Sequence, residues 1–416
     1  MSRKQFILII SAAIIILGII IYFLISSSNT NQGVATQNTS NPFGDASGNK
    51  TSNNIGKNTA TDNSLINNGS EKNLAQLTQI YKSPTSGTVF FVNKNNQNVL
   101  RFVDRAVGNV YEYLPSSQTG RADRVTNTTI PKIQEAIWSN TGENLILRYL
   151  DNNTDNIISF SAKIKNSSSS NATTTPGEIT GIFLSPNIKE VVINPKGDKI
   201  FSFVEKSDKS GSYGYISNLD GSNKKIIFNS PVTYWNVSWP KDSTIIFTTK
   251  PSYNDAGISY LFNTQNYSMN RILGNIVGLS TATNKTADLV AYSSSADSFF
   301  YLDIYDIKNR ISEGYKIDTL ADKCVWGNNN SKILYCAIPD TGSPDNYPDA
   351  WYQGLESFSD NVWKIDTETG NVTEIYQIGS NESASIDAMN LTISSDDQYL
   401  AFMNKNDLSL WLLQLK

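Results

Sequence analysis

Val191-Val192-Ile193-Asn194-Pro195-Lys196-Gly197-Asp198-Lys199-Ile200-Phe201-Ser202-Phe203 opens the clearest structural unit in this chain of 416 residues. Three apolar residues make a short strand, and the next five are turn formers. Ile200-Phe201-Ser202-Phe203 then alternates as a half-buried strand does. A polar loop over residues 207–212 leads to Tyr213-Gly214-Tyr215-Ile216. Leu219-Asp220-Gly221-Ser222 is a hairpin signal, and Lys225-Ile226-Ile227-Phe228 completes the unit. Four antiparallel strands fit in about 40 residues.

The parts recur. The first turn returns as Trp138-Ser139-Asn140-Thr141-Gly142, Trp239-Pro240-Lys241-Asp242-Ser243, Trp326-Gly327-Asn328-Asn329 and Ile393-Ser394-Ser395-Asp396-Asp397. The last hairpin returns at residues 104–108 and 366–370. Each copy is followed by an expected fourth strand, Val110-Tyr111-Glu112-Tyr113 and Val372-Thr373-Glu374-Ile375-Tyr376. Apolar runs that follow turns begin at Leu145, Ile200, Ile245, Leu289, Ile333 and Leu400, spaced by 55, 45, 44, 44 and 67 residues. A further copy sits at Val89, 56 residues before Leu145. A strand-like period in the mid-forties is the pattern of β-propeller blades.

Innermost strands are expected to end near Tyr81, Trp138, Ile193, Trp239, Leu279, Trp326 and Ile393. The expected fold is therefore all-β, a propeller of seven four-stranded blades, with six or eight left open. The last unit runs through Leu400-Ala401-Phe402 and Leu408-Ser409-Leu410-Trp411-Leu412 and lacks a fourth strand. Either that blade has three strands, or a segment near residues 60–73 completes it and closes the ring. Trp138, Trp239 and Trp326 hold the same place in the repeat, which marks them as packing residues. The 55-residue spacing is assigned to a Ser/Asn/Thr-rich insertion at residues 166–175.

Asn194-Pro195-Lys196-Gly197-Asp198-Lys199-Ile200-Phe201-Ser202-Phe203 with Leu219-Asp220-Gly221 downstream, and Ser394-Ser395-Asp396-Asp397-Gln398-Tyr399-Leu400-Ala401-Phe402, resemble the TolB-type, WD40-like propeller repeat family. The resemblance spans residues 74–416. The family turn is Ser-Pro-Asp-Gly-like; here Lys196 stands where Asp is usual, and Asn or Ser replaces Pro in several units. What the resemblance implies is a fold, because propellers host many unrelated activities.

Residues 6–25 carry no charge and, as a helix, would cover roughly 30 Å, one bilayer core. Arg3 and Lys4 precede them, and no charged residue follows until Asp45. The positive-inside rule then leaves residues 1–5 as a cytoplasmic stub and everything after residue 25 outside. A cleaved signal peptide is the alternative, with a secreted product. Residues 26–73, rich in Ser, Asn, Thr and Gly, read as a disordered tether, and residues 74–416 as the propeller domain.

The absence of histidine excludes imidazole-based catalytic triads and His-ligated zinc. Two cysteines are too few for a Cys-based zinc or iron–sulfur site. Cys324 and Cys336 flank a tight hairpin, and a structural disulfide between them is expected in an extracytoplasmic compartment. Their spacing is not Cys-x-x-Cys, so no redox role is expected. A net charge of −4 speaks against a nucleic-acid partner. Asp151-Asn152-Asn153-Thr154-Asp155 starts like a calcium loop but has no Gly or Glu at the later ligand positions. No metal and no cofactor are expected.

The 67-residue spacing holds the main candidate site. Residues 340–360 contain Asp345, Tyr347, Asp349, Trp351, Tyr352, Glu356 and Asp360, stiffened by Pro344 and Pro348. A long loop on a rigid scaffold is where binding residues tend to sit. Aromatics beside carboxylates suit a sugar ring, a cationic peptide or a metal ion. The plainer reading is an acidic surface loop whose Trp351 packs back onto its own blade. The expected function is a membrane-tethered scaffold that binds a protein, a peptide or a cell-wall glycan. The alternative is a carboxylate-dependent glycan-active enzyme, for which two carboxylates about 5 to 10 Å apart in the central channel would be the mark.

Overall fold

Seven four-stranded antiparallel sheets stand around one axis, each a blade. The structure is a computed structural model that describes residues 77–117, 119–151, 156–165, 176–296, 299–342, 344, 346–378 and 385–415. Blades 1 to 6 occupy residues 85–124, 133–183, 188–230, 236–277, 281–314 and 324–377, their strands running in chain order from the axis outward. Blade 7 takes three strands from residues 388–414 and its outermost strand from Leu77–Tyr81. That strand pairs with Leu410–Gln414, setting Leu77 opposite Leu413 and Tyr81 opposite Leu410. The ring is closed by residues just past the expected tether, not by the segment near residues 60–73.

Closure from Leu77–Tyr81 shifts the reading of blade 1. Tyr81 ends an outermost strand, and the innermost strand of blade 1 is Thr85–Val92, which contains Val89. The hairpin at residues 104–108 joins the second and third strands, so Val110–Tyr113 is a third strand and Asp123–Arg124 the fourth. The two hairpins look alike because they share their chemistry. Asp104 Oδ1 accepts from the N–H of Ala106 and Val107, as Asp366 Oδ1 does from Glu368 and Thr369. In blade 5 the innermost strand is Thr281–Thr283, just past Leu279. The other expected inner strands, ending at Trp138, Ile193, Trp326 and Ile393, and that containing Trp239, are found.

The core lies between neighbouring blades. Phe201 and Phe203 of blade 3 pack on Trp239, Ile245 and Phe247 of blade 4, all buried. Each fully buried Phe contributes roughly 1.5–3 kcal/mol. Trp138 Nε1 donates to the Gly87 carbonyl in blade 1, and Trp326 Nε1 to the Ala282 carbonyl in blade 5, so these indoles staple one blade to the preceding one. A Cβ on Gly87, whose φ is +68°, would lie 1.9 Å from the Ala136 carbonyl oxygen. Only glycine permits that approach.

The turns between first and second strands form a second ring of contacts. Asn140 donates to the Pro195 carbonyl, Asn194 to Asp242, Asn284 to the Ser331 carbonyl and Asn98 to Asp396. Asp397, 3% exposed, accepts from the N–H groups of Asn328, Asn329 and Asn330. Lys196 forms an ion pair with Asp242 of the next blade at 3.0 Å. The degenerate turns are thereby fitted to their neighbours.

Cys324 and Cys336 are bonded as a disulfide and face each other directly across the first two strands of blade 6, with Cα atoms 4.1 Å apart. Among the described residues no helix is long and apolar enough to cross a membrane. The expected anchor at residues 6–25, the tether at 26–73, the insertion at 166–175 and Asn152 to Asp155 of the calcium-like stretch lie outside the described residues.

Candidate functional site

In an antiparallel meander, turns from first to second strand lie on one face of the disc, and connections from second to third strand lie on the other. The long connection of blade 6 follows Ile333–Pro339 and precedes Asp360–Asp366, and it carries a one-turn helix, Asp349–Tyr352. Tyr347 is wholly buried and Trp351 is 5% exposed, packed with Phe300, Leu320 and Phe358. The Tyr347 ring stands edge-on to Phe300 at 4.5 Å and to Phe358 at 5.2 Å.

Beneath these rings lies a buried ionic cluster. Lys323 Nζ sits 2.8 Å from Asp360 Oδ2 and 2.6 Å from Asp387 Oδ1, and all three side chains are fully inaccessible. Asp387 Oδ2 accepts from Trp351 Nε1 at 2.9 Å and from the Phe358 N–H at 3.1 Å. Asp360 Oδ2 accepts from the Ala388 N–H at 2.6 Å, while its Oδ1 and the Tyr347 hydroxyl have no hydrogen-bond partner among the described residues. Burial pushes the Asp360 carboxyl up to about 6 against the pull of the Lys323 ammonium. An unpaired charge here would be costly, so the cluster fixes the loop in one position.

That position is over the central channel. The Asp349 carboxylate accepts from the Tyr253 N–H in the second-to-third connection of blade 4. The Tyr352 hydroxyl donates to Asp322. Burial raises the Asp322 carboxyl, opposed by that hydrogen bond. Under the helix is a cavity of ≈ 820 Å³. Innermost strands of blades 2, 3, 4, 5 and 7 all border it, through Glu135, Glu190, Asn236, Thr281 and Asn390, which places it on the axis.

Glu135 and Glu190 hold corresponding places in Ile133-Gln134-Glu135-Ala136 and Ile188-Lys189-Glu190-Val191. Each follows a break in strand register, between Ile133 and Glu135 and between Ile188 and Glu190. Such bulges re-aim side chains, here toward the axis. Arg148, from the second strand of blade 2, sits 2.8 Å from Glu135 Oε2 and donates to the carbonyls of Ile188 and Lys189 at 3.2 and 3.0 Å. One guanidinium therefore satisfies the bulge of the next blade. Glu190, half-buried, has neither a hydrogen-bond nor an ion-pair partner among the described residues. Burial, with the Glu135 carboxylate second, pushes it up to about 8 in spite of Arg148 and Lys250. The Lys250 ammonium lies 3.7 Å from the centre of the Tyr234 ring.

Of the residues expected from sequence, Asp349 and Tyr352 border the cavity. Tyr347 and Trp351 are buried and anchor the loop, so no ligand reaches them. Glu356 is on the exposed rim, where its carbonyl accepts from Lys405 at 2.6 Å. Asp345 lies outside the described residues. Sequence reading missed Glu135, Arg148, Glu190, Tyr234 and Lys250. The available signal was a glutamate repeated at one position of two innermost strands, three residues before Trp138 and Ile193. Among the described residues no group of three or more acidic or Cys side chains is placed to hold a metal ion.

Solved structures share this architecture. An oligogalacturonate lyase in complex with manganese superposes with a TM-score of 0.52 at 12% identity, over 82% of this chain and 90% of that one. A second oligogalacturonate lyase, from Vibrio parahaemolyticus, gives 0.51 at 10% identity over 82% and 91%. The likeness is one of fold. The propeller domain of the Trilobed protease from Pyrococcus furiosus gives 0.50 at 11% identity over 80% and 98%; its propeller is described as having an open velcro topology, whereas here Leu77–Tyr81 pairs into blade 7. TolB from Acinetobacter baumannii is more distant, at 0.43 and 12% identity over 68% and 64%. No family model and no curated protein matches the chain.

Proposed function

We propose that this protein is a binding module that takes a polar ligand, a peptide, a protein segment or a glycan, at the mouth of its central channel. The observation that carries the reading is the ≈ 820 Å³ axial cavity, bordered by charged groups and roofed by a stapled loop. A roomy recess with convergent polar side chains is the usual form of a ligand site. The uncharged stretch at residues 6–25, behind Arg3 and Lys4, supports a membrane-tethered, extracytoplasmic setting. The Cys324–Cys336 disulfide suits such a compartment. The oligogalacturonate lyases' substrate does not transfer, because a galacturonate chain is anionic and carboxyls face this cavity.

The test is a panel of peptides and cell-wall glycans presented to the full chain in detergent, beside Tyr352→Ala and Asn236→Ala variants. Retention of one ligand class by the wild type, lost in both variants, supports the reading. Retention unchanged in both variants overturns it.

One observation favours the enzyme alternative. Glu190, protonated near neutrality, lies close to the Glu135 carboxyl, and general-acid glycan chemistry uses such pairs. Shortened glycans in the same panel, absent with Glu190→Gln, would establish it.

A further inference from the structure

We infer that the ligand of the axial cavity carries a primary ammonium group, received by the Glu190 carboxylate. The inference rests on the binding reading above and adds the ligand's charge.

Four carboxyls border the cavity, Glu135, Glu190, Asp322 and Asp349, against two cations, Arg148 and Lys250. Three of the carboxyls are engaged. Glu135 is held by Arg148 at 2.8 Å, Asp349 by the Tyr253 N–H and Asp322 by the Tyr352 hydroxyl. Arg148 is engaged as well, since its guanidinium also serves the Ile188 and Lys189 carbonyls. Lys250 rests on the Tyr234 ring and forms no ion pair among the described residues. Glu190 is the group left over. The bulge before it turns it to the axis, and no described residue donates a hydrogen bond to it.

A half-buried carboxyl with no hydrogen-bond partner is unfavourable when charged, and Arg148 and Lys250 offset that only in part. A neutral hydroxyl ligand would bring no counter-charge to a Glu190 carboxylate, and an anionic ligand would add to the surplus of carboxyls over cations. An ammonium group offers three donors and one positive charge, enough for Glu190 together with a neighbouring oxygen. The mixed cavity excludes a bulky polycation, because Arg148 and Lys250 occupy part of its wall. The fit is one ammonium on a slender chain, as in a lysine side chain or an alkyl monoamine.

Proton linkage gives a distinctive signature. With its carboxyl pushed up to about 8, Glu190 is largely protonated at neutral pH, and an arriving ammonium expels that proton. Affinity should rise about tenfold per pH unit up to about pH 8 and then level, with close to one proton released per ligand at neutral pH.

The experiment uses the full chain in detergent with two matched pairs of probes. These are 5-amino-1-pentanol with 1,5-pentanediol, and an end-blocked tripeptide carrying one lysine with its side-chain-acetylated form. Calorimetry in buffers of different ionisation enthalpy counts the protons. The expected result is that each amine binds at least about tenfold more tightly than its uncharged partner, the yield of one charge-assisted hydrogen bond. Glu190→Gln should lose that preference and the pH dependence, while its unfolding temperature shows the fold intact. Equal binding of charged and uncharged probes, or an amine preference that survives Glu190→Gln, overturns the inference. Ligands found in the peptide and glycan panel with no amine preference overturn it while leaving the binding module standing. Failure of both panels overturns both.

Discussion

Replacing Lys323 by Met should be among the most damaging single changes to this propeller. The ammonium is fully inaccessible and touches two fully inaccessible carboxylates, Asp360 at 2.8 Å and Asp387 at 2.6 Å. Methionine keeps most of the volume but leaves both acids without that cation; Lys405, 3.9 Å from Asp387, is the nearest substitute. Breaking a buried pair in this way costs about 3–5 kcal/mol. With an unfolding entropy of about 2.1 cal/mol/K per residue over about 340 residues, that is a fall in Tm of roughly 4–7 °C. The pH dependence is more telling. The Asp360 carboxyl stands at about 6 in the folded protein, above its ordinary value of 3.8. A carboxyl raised by folding favours the folded state below its unfolded value, and that advantage is lost as pH rises through the folded value. Removing Lys323 takes away the group that pulls Asp360 down, so its titration should move higher still. The gap between variant and wild type should therefore widen from about pH 5 to about pH 8. Denaturant and thermal unfolding, followed by tryptophan fluorescence at several pH values, would measure it. A gap that is constant across that range, or smaller than about 1 kcal/mol, would refute the assignment of this cluster as an ionic staple.

Trp351→Phe keeps a ring in the loop's anchor but removes the Nε1 donor to Asp387, and should cost about 1–3 kcal/mol; limited proteolysis should then cut faster within residues 340–360. Deleting residues 77–81 removes the outer strand of blade 7 with buried Leu77 and Ile80. The bared edge should make the protein self-associate, as size-exclusion chromatography would reveal. Reducing the Cys324–Cys336 bond, which spans 12 residues, should lower stability by about 2–3 kcal/mol in denaturant titration. Lys196→Asp puts in the residue usual at this place in the TolB-type turn and breaks a pair that is 72% exposed on the lysine side; its unfolding midpoint should hardly move.

The repeat was legible because each blade is a local object. Alternation in Ile200-Phe201-Ser202-Phe203 and the Asx turns beside it are written in adjacent residues, and seven such units gave seven blades. What could not be read locally was the place of a strand within its blade. Leu77–Tyr81 has the burial pattern of a half-covered strand wherever it sits, and its partner is more than 300 residues away. The turn at 104–108 copies the chemistry of a different hairpin, so blade 1 slipped by one strand. In the site, the insertion of blade 6 stood out by its length, but its large aromatics face inward because they are its anchor. The groups that border the cavity come from blades 2, 3, 4, 5 and 7 and from the blade 6 insertion, and only ring closure brings them to a common centre.

The pairing of Leu77 with Leu413 also sets an order of events during synthesis. The strand at Leu77–Tyr81 is made before any blade, yet its partner at Leu410–Gln414 comes after all the others. Throughout translation the early strand must remain without its mate while six blades form from short-range contacts. The ring can lock only when residues near 413 arrive, so a ribosome that stalls earlier leaves an arc with two free edges. Until that moment the axial cavity, whose wall takes residues from the innermost strands of blades 2, 3, 4, 5 and 7, is incomplete. A nascent fragment would thus be unable to hold its ligand.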